Sequence, residues 1–483
     1  MKIPLNSGAY ASRDLIANAQ RCVNLFPEKN PEDTTPPSQF THYPRPGLDL
    51  LRRAPVQGRG RGLYRASDGD LYGVVGPNVY YIDPNWTFTL LGNIANAATP
   101  ISMADNGKSN GNEIVLVDGS PLGYQINMTS RQMTQIVDVT GLFTGADKVE
   151  FFDTFFCFNE IGTNNWYISL SEQVAFNALD IASKGTYGDP IQSLILCQHV
   201  LWIVGTMTAE PWFDAGDPIF PFEQTFGQIV SHGTIAKYSL VTTDVNAFFL
   251  SQDKDGRAIL LMIEGYAAKR VSTHALETEW MTYPRRDDAI CYTYQQQGHT
   301  FVGIHFPSAD KSWTYDLASK QWHQRGWTDN NGVLHRERVA FHAFAYDTNV
   351  GMDWETGTIY ALNPNALTDA DQLISFIRSF PHLVGELKEL TVSAFVADIQ
   401  TGMQPATEEP NVQGQIALRY SKDGGFTWSD YRLKALTSSG HYRSMMRWRG
   451  CGMARDWIFE LSWSANALTA LNQGFLEVIE HSA

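Results

Sequence analysis

The segment Ser421-Lys422-Asp423-Gly424-Gly425-Phe426-Thr427-Trp428 is the most specific short motif in the chain. Its SxDxGxTW spacing suits a self-bonded hairpin. Asp423 can accept hydrogen bonds from turn amides, the glycines permit positive φ, and Trp428 can pack beneath the turn. Ser421, Asp423, Gly425, Thr427 and Trp428 therefore read as structural residues of a turn. Asp253-Lys254-Asp255-Gly256, followed by Glu264, has the carboxylates of a calcium loop. An EF-hand loop needs its glycine at the sixth position, whereas Gly256 stands at the fourth, so a plain turn is expected. His299, His305, His323, His335 and His342 follow one another without the spacing of a zinc site. Asp287-Asp288 and Glu408-Glu409 are adjacent acids, which point to opposite faces in a strand, whereas glycoside hydrolysis needs two facing carboxyl groups. No GxSxG elbow, Walker A loop or dinucleotide fingerprint occurs. No catalytic residue, metal site or cofactor is assigned, and the chain reads as a non-enzyme.

Two basic clusters interrupt an acidic chain. Arg45, Arg52, Arg53, Arg59, Arg61 and Arg65 form one, and Arg443, Arg447, Arg449 and Arg455 the other. Arg447 and Arg449 alternate, so in a strand they share a face. Arginines so placed can pair with acids of their own chain, with acids of a partner, or with DNA phosphate. Arg59, Arg61, Arg443, Arg447 and Arg449 are the candidates for a subunit or DNA contact. Against them stand 51 Asp and Glu to 36 Lys and Arg, a formal charge of -15. That balance argues against a general nucleic-acid binder but leaves room for a protein past which DNA slides.

The elements that would position these residues repeat. An apolar strand, a turn, a second apolar strand ending in Gly and a third rich in Tyr or Trp recur from Gly60, Ile101, Lys148, Ile191, Ala247, Ala289 and Arg338. The spacing is about 41 to 56 residues, the period of β-propeller blades. Seven units are visible, and six blades remain open because a terminal unit can complete a shared blade. Aromatics at 12% and 39 Gly suit short strands with tight turns. Some strands are apolar on both faces, as in sheets stacked between sheets. The expected fold is all-β, with three parts. Residues 1–57 form an N-terminal segment with a Pro-rich arm, read as a surface loop or an arm folding onto a neighbouring subunit. Residues 58–380 form the propeller. Residues 381–483 form a β-sandwich of about six strands. Helix candidates are confined to Asp14–Asn24 and Asp371–Ser379.

Five widely spread cysteines without a CxxC pair suggest no disulfide framework and assembly in a reducing cytosol. The opening MKIPLNSGAY lacks the apolar core of a secretory signal, and no apolar run is long enough to span a membrane.

Three regions together resemble one family. They are SGAYASRDLIANAQRCVNLFPE with YPRPGL near the start, SLILCQHVLWIVGTMTAEPWFDAG and GQIVSHGTIAKYSLVTTDVNAFFLSQDKDGRAILLMIEGYAAKRVST in the middle, and LRYSKDGGFTWS with RWRGCGMARDWIFELSWSA and LEVIE at the end. This set is similar to the packaged DNA stabilization proteins of P22-like short-tailed phages, the tail hub or nozzle. The resemblance implies a virion tail protein assembled in the host cytoplasm as a hexameric ring below the portal and its adaptor protein. It implies contacts with tailspikes or tail fibres and with a needle or plug protein, and double-stranded DNA passing non-specifically through the lumen. An acidic lumen would let that DNA slide. Two other readings stay open: a carbohydrate-active or glycan-binding propeller, since SxDxGxTW is the Asp-box of sialidases, and a receptor-binding tail fibre.

Overall fold

Each repeat unit carries apolar residues on both faces of its strands, and a sheet built that way must be covered on both sides. A computed structural model describes residues 1–5, 8–14, 18–31, 39–95, 98–109, 111–185, 187–370, 372–384, 388–403, 414–436, 442–465 and 468–480. In it the units form seven antiparallel sheets arranged as the blades of a propeller. Their inner strands are Gly60–Arg65, Ser102–Asp105, Val149–Phe152, Ile191–Cys197, Val241–Thr242, Ile290–Gln296 and Val339–Ala345, and the seventh returns to lie beside the first. Neighbouring inner strands are close enough to bond. The Ile101 amide donates to the Arg61 carbonyl at 2.8 Å. The Val149 amide donates to Ser102 Oγ at 3.1 Å, and the Thr293 hydroxyl donates to the Thr242 carbonyl at 2.9 Å. Separate apolar clusters fill the gaps between successive blades, such as Val74, Val79, Ile114 and Leu116 between blades 1 and 2. Phe156 and Phe158 with Val115 and Val117 do the same between blades 2 and 3. Strand Leu71–Val75 is buried at all five positions for this reason.

The blade count is thus seven. The fifth inner strand is Val241–Thr242, and Ala247–Gln252 is the second strand of that blade. Two residues carry too little alternation to register as a strand in sequence.

The last blade is completed from the other end of the chain. Gly47–Arg52 pairs antiparallel with Ile359–Asn363 as the outer strand of blade 7. Leu48 is buried there beside Val339 and Leu362. Gly47 is required, since a Cβ would lie 2.6 Å from the Ala366 carbonyl oxygen. The propeller therefore begins ten residues or so before the sequence boundary at 57 and is closed by non-covalent pairing of its two ends.

The described parts of the Pro-rich segment lie in a sheet. Leu25–Lys29 and Phe40–Pro44 pair with each other, and His42 bridges to Leu471 of the C-terminal strand. Pro27 is tolerated because its strand lies at the sheet edge, where its missing amide breaks no ladder. Residues 32–38, including Pro36 and Pro37, lie outside the described residues. Neither helix expectation holds. Ala19–Gln20, Cys22–Val23 and Phe376–Ser379 are strands, because sheet pairing outweighs a weak local helical preference. Residues 15–17 and 371 lie outside the described residues. The described α-helix is His274–Trp280, capped by Thr273 and anchored by Trp280 against Phe306 and Trp322.

The C-terminal strands form two facing sheets. Arg443–Ala454, Leu390–Met403 and Leu468–Glu480 make one, extended by the N-terminal pair; Phe376–Ser379, Asp456–Ser464, Gln415–Ser421 and Arg432–Ala435 make the other. Phe395 and Phe459 stack across the gap with centroids 5.0 Å apart, flanked by Trp448 and Trp457. The second sheet runs on into blade 6, because Val23 pairs parallel with Gln324 and antiparallel with Ile377. Propeller and sandwich consequently share one apolar core.

Asn24 sits at that junction with φ of 58°. Its Nδ2 donates to the carbonyls of Gly326 (2.9 Å) and Ser375 (2.8 Å), and its Oδ1 accepts from Gly326 N (3.0 Å) and Arg45 Nε (2.9 Å). Arg45 continues the knot to Asp369. Replacing Asn24 by Ala strands several buried polar groups and is expected to cost about 3 kcal/mol, at about 1–3 kcal/mol for each group left unsatisfied. Urea unfolding of Asn24→Ala beside wild type measures this, and a loss below ~1 kcal/mol would contradict the junction's importance.

Candidate functional site

The SxDxGxTW turn closes on itself. Ser421 Oγ donates to Asp423 Oδ1 at 2.7 Å and accepts from Gly425 N at 2.8 Å. Asp423 also accepts from Thr427 N at 2.9 Å and from Thr427 Oγ1 at 2.6 Å. Gly424 and Gly425 have φ of 74° and 99°. Trp428 Nε1 donates to the Gly425 carbonyl at 3.1 Å, and Arg419 lies 4.4 Å over its ring. The hydrogen bonds from Thr427, then that from Ser421, pull the Asp423 carboxyl down to about 2. All these groups serve the turn.

The candidate arginines separate into three kinds. Arg61 is buried, contrary to a contact role. It donates to Thr99 O at 2.8 Å, to Gly76 O and Ala95 O at 3.0 Å each, and pairs with Asp118 at 2.9 Å, so it is spent joining blade 1 to blade 2. Arg443, Arg447 and Arg449 share the solvent face of Arg443–Ala454, an edge strand of the sandwich. Arg443 clasps the buried carboxylate of Asp398 through two bonds of 2.9 and 2.6 Å, and Arg447 pairs with Glu477. Arg449 is exposed, and its carbonyl accepts from Arg432 Nη2 at 2.5 Å. Arg59 is exposed at the start of the first inner strand.

Arg59 opens onto a mouth at the propeller axis. The loops leading into the inner strands bring Arg59, Thr99, Lys237, Tyr238, Arg285, Asp287 and Asp288, with Ser308 from the turn between the second and third strands of blade 6, around a cavity of about 500 Å³. Lys237 pairs with Asp147, and Arg285 pairs with Asp287 at 2.9 and 3.0 Å. Asp288 accepts from the Ser308 amide at 2.7 Å. Arg336 belongs to the same end of the ring, its guanidinium 3.5 Å over Trp354. Burial and then the neighbouring Arg59 push Arg336 down to about 10. Sequence reasoning missed Arg336, Lys237 and Arg285. The signal within reach was the run Arg336-Glu337-Arg338 entering a strand, which says nothing by itself about where loops of other blades converge.

The five histidines do not assemble into a ligand set. His305 stacks on Tyr292 and bonds Ser312 at 2.7 Å, and burial holds it down at about 3. His299 lies between Asp316 (2.9 Å) and Glu28 (3.5 Å), and the hydrogen bond that its ring donates to Asp316 raises its pKa. His335 pairs with Asp310 and Asp329, and His342 with Asn349. The Asp253 carboxylate accepts from the amides of Asp255 and Arg257, capping its own turn. Among the described residues no cluster of three or more His, Cys, Asp or Glu is placed to hold a metal.

The family described as "Bacteriophage P22 Gp10, beta-propeller" matches residues 1–366. The chain belongs to this phage stabilisation-protein family. Membership makes it a phage structural β-propeller protein. No curated protein matches the sequence. Solved structures with related shape include the WD40 β-propeller domain of Doa1, at 9% identity and a TM-score of 0.39, covering 65% of this chain and 96% of that one. A chain of "YCF48 bound to D1 peptide" gives 11% identity, a TM-score of 0.40 and coverage of 66% and 97%. The extracellular domain of the hybrid two-component system BT4673 from B. thetaiotaomicron gives 10%, 0.42, and 85% and 56%.

Two outcomes are expected of this phage propeller protein. Arg61→Ala leaves Asp118 buried without its partner and should cost about 3–5 kcal/mol, whereas Arg449→Ala should stay within about 0.5 kcal/mol, both read by denaturant unfolding. The second concerns pH. The Asp423 carboxyl titrates below its ordinary 3.8, so its stabilisation is complete above about pH 4 and is lost as pH falls through about 2. Asp423→Asn should melt below wild type at pH 7, with the gap closing as pH drops from 4 towards 2. A gap independent of pH would show that the charge on Asp423 is immaterial.

Proposed function

We propose that this chain is a subunit of the tail hub, or nozzle, of a short-tailed phage, and that copies form a ring below the portal and its adaptor protein that retains packaged DNA. The observation that carries the reading is the family match over residues 1–366, which spans all seven blades' inner strands and the N-terminal segment that closes the ring. The chemistry is assembly rather than turnover. The propeller supplies a rigid body, and the sandwich, fused to blade 6 through Val23, supplies a second surface held at a fixed angle.

The route for DNA in this proposal is a lumen between subunits. A propeller bore ringed by seven inner strands, with neighbours bonded as Ser102 is to Val149, is too narrow for a duplex. Six copies are proposed for the ring, with tailspikes or fibres and a needle or plug protein as further neighbours. The chain's charge of -15 suits passage of DNA without adhesion.

The mass of the purified chain in solution, alone and mixed with a portal–adaptor complex, tests the reading. A six-copy ring forming on the complex is the expected result. A stable trimer, or a chain that ignores the complex, would overturn it in favour of a fibre or an unrelated role.

A further inference from the structure

The chain's charge is unevenly spread, and two of its exposed surfaces are opposites. Between Lys184 and Lys237 there is no Lys or Arg, while Asp189, Glu210, Asp214, Asp217 and Glu223 fall in that stretch. It contains blade 4, whose outer edge is the strand Phe222–Gln224. Phe222 packs inward on Trp166, and its neighbour Glu223 is exposed beside Phe213 on the adjoining strand. The turns at either end of the edge expose Ile219 (85%) and Phe226 (99%). Asp214 and Asp217 accept amides of their own loop at 2.7 and 2.8 Å. Among the described residues neither they nor Glu223 join an ion pair, whereas Asp189 is held by Lys184.

The sandwich carries the reverse. Residues 414–455 hold eight Lys and Arg against two Asp. Its two sheets end on one side, in the edge strands Arg443–Ala454 and Arg432–Ala435. Trp448 Nε1 donates across that open side to the Arg432 carbonyl at 2.7 Å, and the Arg432 guanidinium donates to the Arg449 carbonyl. Lys434 lies 6.0 Å from the Trp448 ring, and Lys422 packs beside Gly452. Arg419, Arg443 and Arg447 have carboxylate partners within the sandwich. Among the described residues Lys422, Arg432, Lys434 and Arg449 join no ion pair. Tyr431, Leu433 and Met445, on or next to the same two strands, are each more than half exposed.

Charged side chains along a sheet edge keep it from pairing with a copy of itself, and large apolar side chains left in water mark a surface that another protein covers. Like charge bars each of these surfaces from its own duplicate and favours its opposite. We propose that the outer edge of blade 4 on one copy docks against the open basic side of the sandwich on the next. Two different surfaces of one chain then meet head to tail, the kind of contact that repeats until a ring closes. The inference deepens the ring reading above and rests on it for closure, although the contact itself needs only two copies.

Sedimentation velocity of the full chain at low salt, alone and with the portal–adaptor complex, tests the contact. Wild type should associate, and added salt should weaken the association. Asp217→Lys with Glu223→Lys in one variant, and Lys434→Glu with Arg449→Glu in another, should each associate at least about tenfold more weakly at an unchanged thermal midpoint. Mixed in equal amounts, the two variants should recover the wild-type association, because each reversed surface again meets its opposite. A mixture that does not recover, or variants that form the ring on the complex as readily as wild type, would overturn the contact and leave the ring reading standing. Association that the variants lose, in a chain that ignores the complex, would support the contact and remove the virion reading. A wild-type chain that stays single in both conditions, or one that stays single while binding a short DNA duplex through Lys434 and Arg449, would overturn the contact.

Discussion

The arrangement of the whole molecule depends on the hydrogen-bond knot at Asn24. Four pieces of chain meet there: the N-terminal segment, the end of blade 6 at Gly326, the strand leading to the sandwich at Ser375, and Arg45 on its way to Asp369. Each brings backbone groups that must be satisfied away from water. A side chain with two donors and one doubly accepting oxygen, on a backbone with positive φ, meets that demand in one residue. Because the knot fixes Cys22–Val23, one sheet runs from blade 6 into the sandwich. Because it fixes Arg45, Gly47–Arg52 is delivered to blade 7 and closes the ring.

The same region shows how the fold uses buried charge. Arg325 lies in the core with Nε on His323 at 3.1 Å, Glu337 at 3.8 Å, and its guanidinium over Phe301 and Tyr294 at 4.8 and 5.3 Å. Burial pushes His323 well down, so it stays neutral and accepts from the arginine. Such groups contribute little net stability against apolar alternatives, but they tolerate few other arrangements. Arg45 and Arg61 follow the same logic. An acidic chain thus spends its most deeply placed arginines on internal joints.

The single Asp-box illustrates the limit of motif chemistry. Its Ser, Asp, Thr and Trp are all consumed within one hairpin of the sandwich, remote from the axial mouth of the propeller. The residues that do converge at the mouth come from blades 1, 2, 5 and 6 and lie as far apart in sequence as Arg59 and Ser308.

The sequence by itself determined the all-β character, the repeating sheets and the strands after Pro381, because alternation, turn residues and period are local consequences of how a strand buries its faces. It also determined the hairpin at Asp423, whose bonds span only a few residues. Only the tertiary structure decided which arginines are joints and which face outwards: Arg59 and Arg61 are two residues apart, yet one is exposed and the other buried on Asp118. It alone placed Gly47–Arg52 in the last blade and made strands of Ala19–Gln20 and Cys22–Val23, which lie in a weak helical pattern. The physical reason is common to all of these. Their partners lie up to several hundred residues away, and pairing energies gained only on closure of the ring outweigh the local preferences that a sequence displays.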